Sequence, residues 1–163
     1  MKYLFITIAI ILSTSAKVFA QVPAETIPDF TFYRLDKSSF TTKDIEKGKL
    51  LFFVFFDSEC EHCRHAISYI SKHVSGLKKT ALYLLSLDEP EKIMGFINAN
   101  GKSLVYKRDI LFLQDIKNEF ISKFKPKKYP SMFLYAANKK LIMYDNDEQK
   151  LSQFLKEINS HRN

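Results

Sequence analysis

The chain has 163 residues, 46% of them hydrophobic, and carries 25 Lys and Arg against 18 Asp and Glu, a formal charge of +7 at pH 7. That length suits one domain with a real core, and a moderate cationic excess spread along the chain does not by itself indicate nucleic-acid binding. Two cysteines in the whole chain are too few for a disulfide-stapled scaffold. The first segment, "MKYLFITIAIILSTSAKVFAQ", places Lys2 before an apolar run from Tyr3 to Leu12, then small and polar residues ending in Val18-Phe19-Ala20. This is the order of a secretory signal peptide with an apolar region of about ten residues, cut after Ala20. The run falls short of the roughly twenty apolar residues that span a bilayer, and an uncleaved membrane anchor is the alternative. No cysteine lies near the cleavage point to take a lipid. Residues 1–20 are therefore expected to be a signal peptide and residues 21–163 one exported domain, periplasmic or otherwise extracytoplasmic.

Between Pro28 and Ile45, Phe30, Phe32 and Phe40 alternate with polar residues around a turn-like Asp36-Lys37-Ser38-Ser39. The pattern predicts a short hairpin ahead of the main domain. Gly48 ends the next loop, and "LLFFVFF", Leu50 to Phe56, is continuously apolar, as in a strand buried on both faces. From Glu61 the period changes: Ala66, Ile67, Ile70, Val74 and Leu77 recur at three and four residues, predicting a helix to about Gly76. "ALYLLSL" (81–87) reads as a second buried strand. Pro90 opens a short helix through Ile93, Phe96 and Ile97 that stops at Asn100-Gly101. "SLVYKR" (103–108) is expected as a short strand, and helical spacing returns at Phe112, Ile116, Phe120, Ile121 and Phe124. After "KPKKYP", the segments "SMFLYAA" and "KLIMYD" form a hairpin through Asn138. A last helix, Asp147 to Ile158, presents Leu151, Phe154, Leu155 and Ile158 on one face. The order is a β-α-β unit, an extra piece, then β-β-α, which packs as one layered α/β domain.

The two cysteines sit where the first buried strand gives way to the helix, in "FFVFFDSECEHCRH". A bridge between Cys60 and Cys63 would close a tiny loop and remove little entropy from the unfolded chain, so the pair is chemical in purpose. Residues three apart on a helix share a face at a separation a disulfide can span. Cys60 falls at the helix start, beside unpaired backbone N–H groups and the positive end of the dipole, which favour a thiolate. Cys63 lies one turn inside, shielded, and can attack only a mixed disulfide formed by Cys60.

The strand, "CEHC", the helix and a distant Tyr129-Pro130 before a strand resemble the thioredoxin fold. With the N-terminal hairpin and the segment inserted between the two halves, the chain is similar to exported TlpA/ResA-like thiol–disulfide oxidoreductases of the redoxin family, over almost all of residues 21–163. The resemblance implies an α/β fold, a central mixed sheet flanked by helices, with Cys60–Cys63 as a redox-active disulfide and no other cofactor. It implies a cis bond at Tyr129-Pro130 facing the cysteines, and a substrate-contact wall made by the backbone of Tyr129, Pro130 and Ser131. Proline before a strand also makes sense by itself, since it belongs at a bend or first residue rather than the interior. The partners implied are thiols and disulfides of envelope proteins, with reduction as the usual direction and a membrane thiol carrier as electron donor. Glu59 replaces the tryptophan usual before the first cysteine. Val54 and Ala66 stand where many relatives carry a buried carboxylate, so no general base is assigned. Phe53 and Asp57 replace the Pro and Thr of peroxiredoxins, which argues against peroxidase activity.

His62, inside the dithiol loop, would as an imidazolium lower the Cys60 pKa and make the protein more oxidising. Glu59 and Glu61 oppose it by repelling the thiolate. His65 and His73 read as solvated helix residues. Yet Cys60, His62, Cys63 and His65 place four soft or borderline ligands within six residues. That admits a second class of function, a copper or zinc binding or delivery module. Lys123, Lys125, Lys127 and Lys128, just before Pro130, form either a solvated loop or a patch that attracts an acidic partner.

Overall fold

The computed structural model describes residues 22–161, so the expected signal peptide lies outside the described residues. A hairpin comes first, as the alternation of Phe and polar residues predicts: β1 (Thr31–Arg34) and β2 (Ser39–Thr41), with Phe32 paired to Phe40. β3 (Leu50–Phe55) and β4 (Thr80–Ser86) are the two continuously apolar segments. They pair in parallel, and β4 pairs in parallel with β5 (Ile110–Gln114). β6 (Ser131–Tyr135) and β7 (Leu141–Asp145) form the second hairpin, with β6 antiparallel to β3. The result is one seven-stranded mixed sheet in the order β2-β1-β5-β4-β3-β6-β7.

Among the described residues, four α-helices cover it: α1 (Glu61–Lys72), α2 (Pro90–Asn100), α3 (Glu119–Phe124) and α4 (Leu151–Ser160). Successive residues of a strand point to opposite faces, so β3 serves two cores. Phe52, Val54 and Phe56 pack with Ile67 and Ile70 of α1, Ile93 and Ile97 of α2, and Phe154 of α4. Leu51, Phe53 and Phe55 pack on the other face with Phe120 and Phe124 of α3 and with Phe30, Phe32 and Phe40. Gly101, at the end of α2, lies so close to α1 that a Cβ there would sit 2.7 Å from Ile67 Cγ2.

Two expected elements differ. Residues 103–108 are not a strand: Lys102–Leu104 make a turn of 3-10 helix that tucks Leu104 into the first core. The strand is β5, and the helical spacing read from Phe112 holds only from Glu119. Ile110 and Phe112 face one core while Leu111 and Leu113 face the other, so this doubly buried strand shows no polar alternation. Together α2 and β5 form the segment inserted between the two halves. No helix among the described residues is long and apolar enough to cross a membrane.

Candidate active site

Each parallel strand ends in an aspartate at the same end of the sheet: Asp57 after β3, Asp88 after β4 and Asp115 after β5. Carboxyl ends of parallel strands are where α/β folds build sites. Asp57 Oδ1 accepts the Glu59 N–H at 2.7 Å, and Asp88 Oδ2 accepts the Ser58 N–H and the Ser86 hydroxyl, each at 3.0 Å. Burial works to raise the Asp88 pKa, but its bonds from Ser58 and Ser86 and the nearby Lys92 outweigh it and hold the carboxyl below the usual range. These two carboxylates pin the loop that delivers Cys60.

Cys60 caps α1: its sulfur accepts the Cys63 N–H at 3.3 Å. It is half-buried, Cys63 is fully buried in the first core, and both are free thiols. Burial pushes the Cys63 thiol far up, and the hydrogen bond and charge of Cys60 and the charge of Asp57 push it further, while the Asp57 backbone works the other way. Position alone thus separates an accessible sulfur from a protonated, shielded one.

His62 is exposed and its Nδ1 lies 2.7 Å from Oε1 of Glu148, which follows β7. Burial opposes ionisation of Glu148, yet the His62 hydrogen bond holds its carboxyl below the usual range. Glu59, also exposed, pairs with Lys92 at 3.3 Å, and Glu61 is an exposed residue of the first turn of α1. His65 is exposed, and His73 stacks on Tyr69 with ring centroids 4.2 Å apart. Among the described residues, no three His, Cys, Asp or Glu side chains are grouped to hold a metal ion.

The Tyr129–Pro130 peptide bond is cis. Ser131 pairs with Phe55 across β6 and β3, which brings this loop beside the strand that leads to Cys60. The Ser131 hydroxyl donates to Lys128 O at 2.7 Å, and Pro130 is buried. The Tyr129 ring lies tilted against Phe55, with centroids 4.8 Å apart, and touches both cores. Its phenol is pushed up to about 12 by burial first, then by the charges of Asp57, Asp88, Cys63 and Asp115. The tyrosine bridges the core that holds the dithiol and the core on the other face of the sheet. The sequence reading missed Glu148, for which no local signal exists, and the aspartate trio, which was visible as an Asp closing each apolar strand.

The AhpC/TSA family profile matches residues 23–144. A search by sequence among curated proteins finds no match. Solved structures share the fold. A Bacteroides thetaiotaomicron protein provisionally named a protein disulfide isomerase superposes with a TM-score of 0.67 at 22% identity, over 85% of this chain and 89% of that one. A Chlorobium tepidum protein provisionally named a thiol:disulfide interchange protein DsbE gives 0.67 at 18% identity, over 86% and 99%. Arabidopsis thaliana ScoI with copper bound gives 0.62 at 15%, over 84% and 99%.

Proposed function

The chain belongs to the AhpC/TSA family of thioredoxin-fold redoxins, and from that premise we propose that it is an exported thiol–disulfide oxidoreductase acting on envelope proteins through Cys60 and Cys63. The observation that carries this reading is the asymmetry of the pair: a half-buried helix-cap sulfur holding a backbone N–H, with a wholly buried thiol one turn behind it. Cys60 Sγ attacks one sulfur of a client disulfide. The client S–S bond breaks, its second sulfur leaves as a thiolate and takes a proton, and a mixed disulfide remains. Cys63 then loses its proton and attacks Cys60, releasing the first client sulfur as a thiol. The client gains two electrons and two protons, and the dithiol becomes a disulfide.

Timing comes from the causes that raise the Cys63 pKa. Burial persists throughout, but the hydrogen bond and charge of Cys60 vanish once its sulfur is tied up in the mixed disulfide. Their loss eases deprotonation of Cys63 at the step that needs it, while burial, the largest cause, still holds its pKa up. Reduction of clients, with a membrane thiol carrier restoring the dithiol, is the direction favoured by the resemblance to TlpA/ResA-like redoxins. Tyr129, Pro130 and Ser131 offer the backbone wall, and His62 with Glu59 and Glu61 sets the local charge. Export rests on the order of residues in 1–20.

Cys63→Ser should freeze exchange halfway, so the variant expressed in its native compartment migrates as reducible adducts, while Cys60→Ser gives few. If neither variant traps a partner and both lose tight copper(I) or zinc binding, the thiols serve a metal module instead. Rapid consumption of hydrogen peroxide by the reduced wild type, with no adducts trapped, would assign a peroxidase.

A further inference from the structure

On the face of the sheet that carries α3, Phe55, Ile121, Pro126, Lys127, Lys128 and Tyr129 line a groove of about 170 Å³, and Tyr129 links it to the core that holds the two cysteines. Small-molecule pockets run to about 300–1,000 Å³, so this one is sized for a single side chain. Its walls are apolar, and Ile121 is 40% exposed at its edge. The loop that forms it is tied down twice: the Lys127 N–H donates to the Tyr144 hydroxyl at 3.0 Å, and Lys128 O accepts from Ser131 at 2.7 Å. Lys123 is occupied by Asp29 O and Glu119, both at 2.8 Å. Lys125, Lys127 and Lys128 are exposed and have no ion pair among the described residues.

Charge differs between the dithiol turn and the loop before Pro130. Around Cys60 the exposed Glu61 and the half-buried Asp57 carry no ion pair among the described residues, Glu59 pairs with Lys92, and His62 and Arg64 are also exposed, whereas the charged residues of the loop before Pro130 are all lysines. Resting on the thiol-exchange reading, we propose that this groove selects clients: it takes an apolar side chain near the client cysteine, while Lys125, Lys127 and Lys128 draw acidic residues flanking that side chain. A segment extended along Tyr129–Ser131 places alternate side chains on one side, so main-chain pairing holds it and the groove reads one residue. The difference in charge fixes which way round the segment lies, because reversal moves its acidic end from the lysines towards Asp57 and Glu61.

The probes are short peptides with one cysteine carried as its glutathione mixed disulfide: Leu with Asp/Glu flanks, Leu with Lys flanks, and Ser with Asp/Glu flanks. Reduced protein converts each to peptide thiol and glutathione while its own dithiol becomes the disulfide. Rates are divided by that of the same protein on hydroxyethyl disulfide, which is small and uncharged. The Leu acidic peptide should exceed the Lys peptide by about tenfold at low salt, the combined effect of a few screened ion pairs, and the gap should shrink as salt rises. Charge reversal in a triple variant, Lys125→Glu, Lys127→Glu and Lys128→Glu, should invert the order. Ile121→Ser should close the gap between the Leu and Ser peptides. Equal normalised rates on all peptides, or a preference unmoved by the triple variant, would overturn the selection while leaving the exchange reading intact. Equal rates together with sedimentation on phosphatidylglycerol vesicles would reassign the lysines to a lipid surface. Absence of exchange even with hydroxyethyl disulfide would remove the underlying reading as well.

Discussion

Glu148 and His62 lie 86 residues apart in the chain and 2.7 Å apart in the fold. The pair ties the first turn of α1 to the segment after β7 and puts a carboxylate behind the imidazole nearest the thiols. Glu148→Gln removes a negative charge close to the dithiol, which favours the Cys60 thiolate and with it the reduced form. His62 is largely exposed, and such pairs contribute only tenths of a kcal/mol. The expected outcome is therefore a rise in reduction potential on the order of 10 mV, measured by equilibration with glutathione. A structural tether alone would leave the potential unmoved. Stability supplies the second readout. The folded-state pKa of Glu148 lies below its ordinary 4.5, so its contribution is complete above that value and lost as pH falls through the lowered one. Wild-type and Glu148→Gln urea midpoints should differ at pH 6 and converge in acid.

α3 illustrates how an element too short to persist alone is held by one side chain. Asn118 precedes it in a left-handed conformation with no side-chain cap. Asp115 does the capping instead, accepting the Glu119 N–H at 2.9 Å and the Phe120 N–H at 2.7 Å. The aspartate is buried, and burial raises its pKa while those two N–H groups pull the other way. Asp115→Ala strands two donors and loosens the stacked Phe120–Phe124 pair, whose centroids lie 4.2 Å apart. The expected loss is about 2 kcal/mol, read as a lower urea midpoint with unchanged slope. Asp115→Asn, which keeps an acceptor for one of the two, should fall between. The same region shows where sequence reading fails. Phe120 and Phe124 have true helical spacing, but Phe112 shares that spacing by coincidence and belongs to a strand. The β-branched Val105 and aromatic Tyr106 looked like strand residues, while the buried "ILFL" run had no periodicity to separate strand from helix. By contrast, β3, α1 and α2 were legible because the apolar run, the change of period at Glu61 and the Pro90/Gly101 punctuation each answer to a local cause.

Across the whole molecule, the two ends of the sheet do different work. One end carries the thiols, the strand-end aspartates and the loop before Pro130, and its residue types announce chemistry in the sequence. The other end is closed by residues 22–28, which no motif predicts because their contacts are mostly main-chain. Ala24 N–H donates to Phe124 O at 3.1 Å, Ile27 N–H to Lys139 O at 3.0 Å, and Leu141 N–H to Glu25 O at 2.8 Å. Ala24 O accepts the Tyr135 hydroxyl at 3.0 Å, and Ile27 is buried in the core shared with α3. A chain beginning at Asp29 loses all four bonds and the Ile27 contact. Losing four bonds, each worth roughly 0.5–1.5 kcal/mol net, and uncovering Ile27 should make the shorter chain less stable. Urea unfolding of the two chains measures the difference. Burial alone pushes the Tyr135 phenol well above its ordinary 10.0, and the segment that covers it is the one removed. A tyrosine that ionises only at extreme pH in the longer chain should therefore titrate nearer the ordinary value in the shorter one, seen as phenolate absorbance. Exchange with a small disulfide should survive under conditions where the shorter chain stays folded, because the dithiol is built at the opposite end of β3 and β6. Loss of stability without the change in tyrosine titration would mean that residues 22–28 act through some contact other than the cover they place over Tyr135.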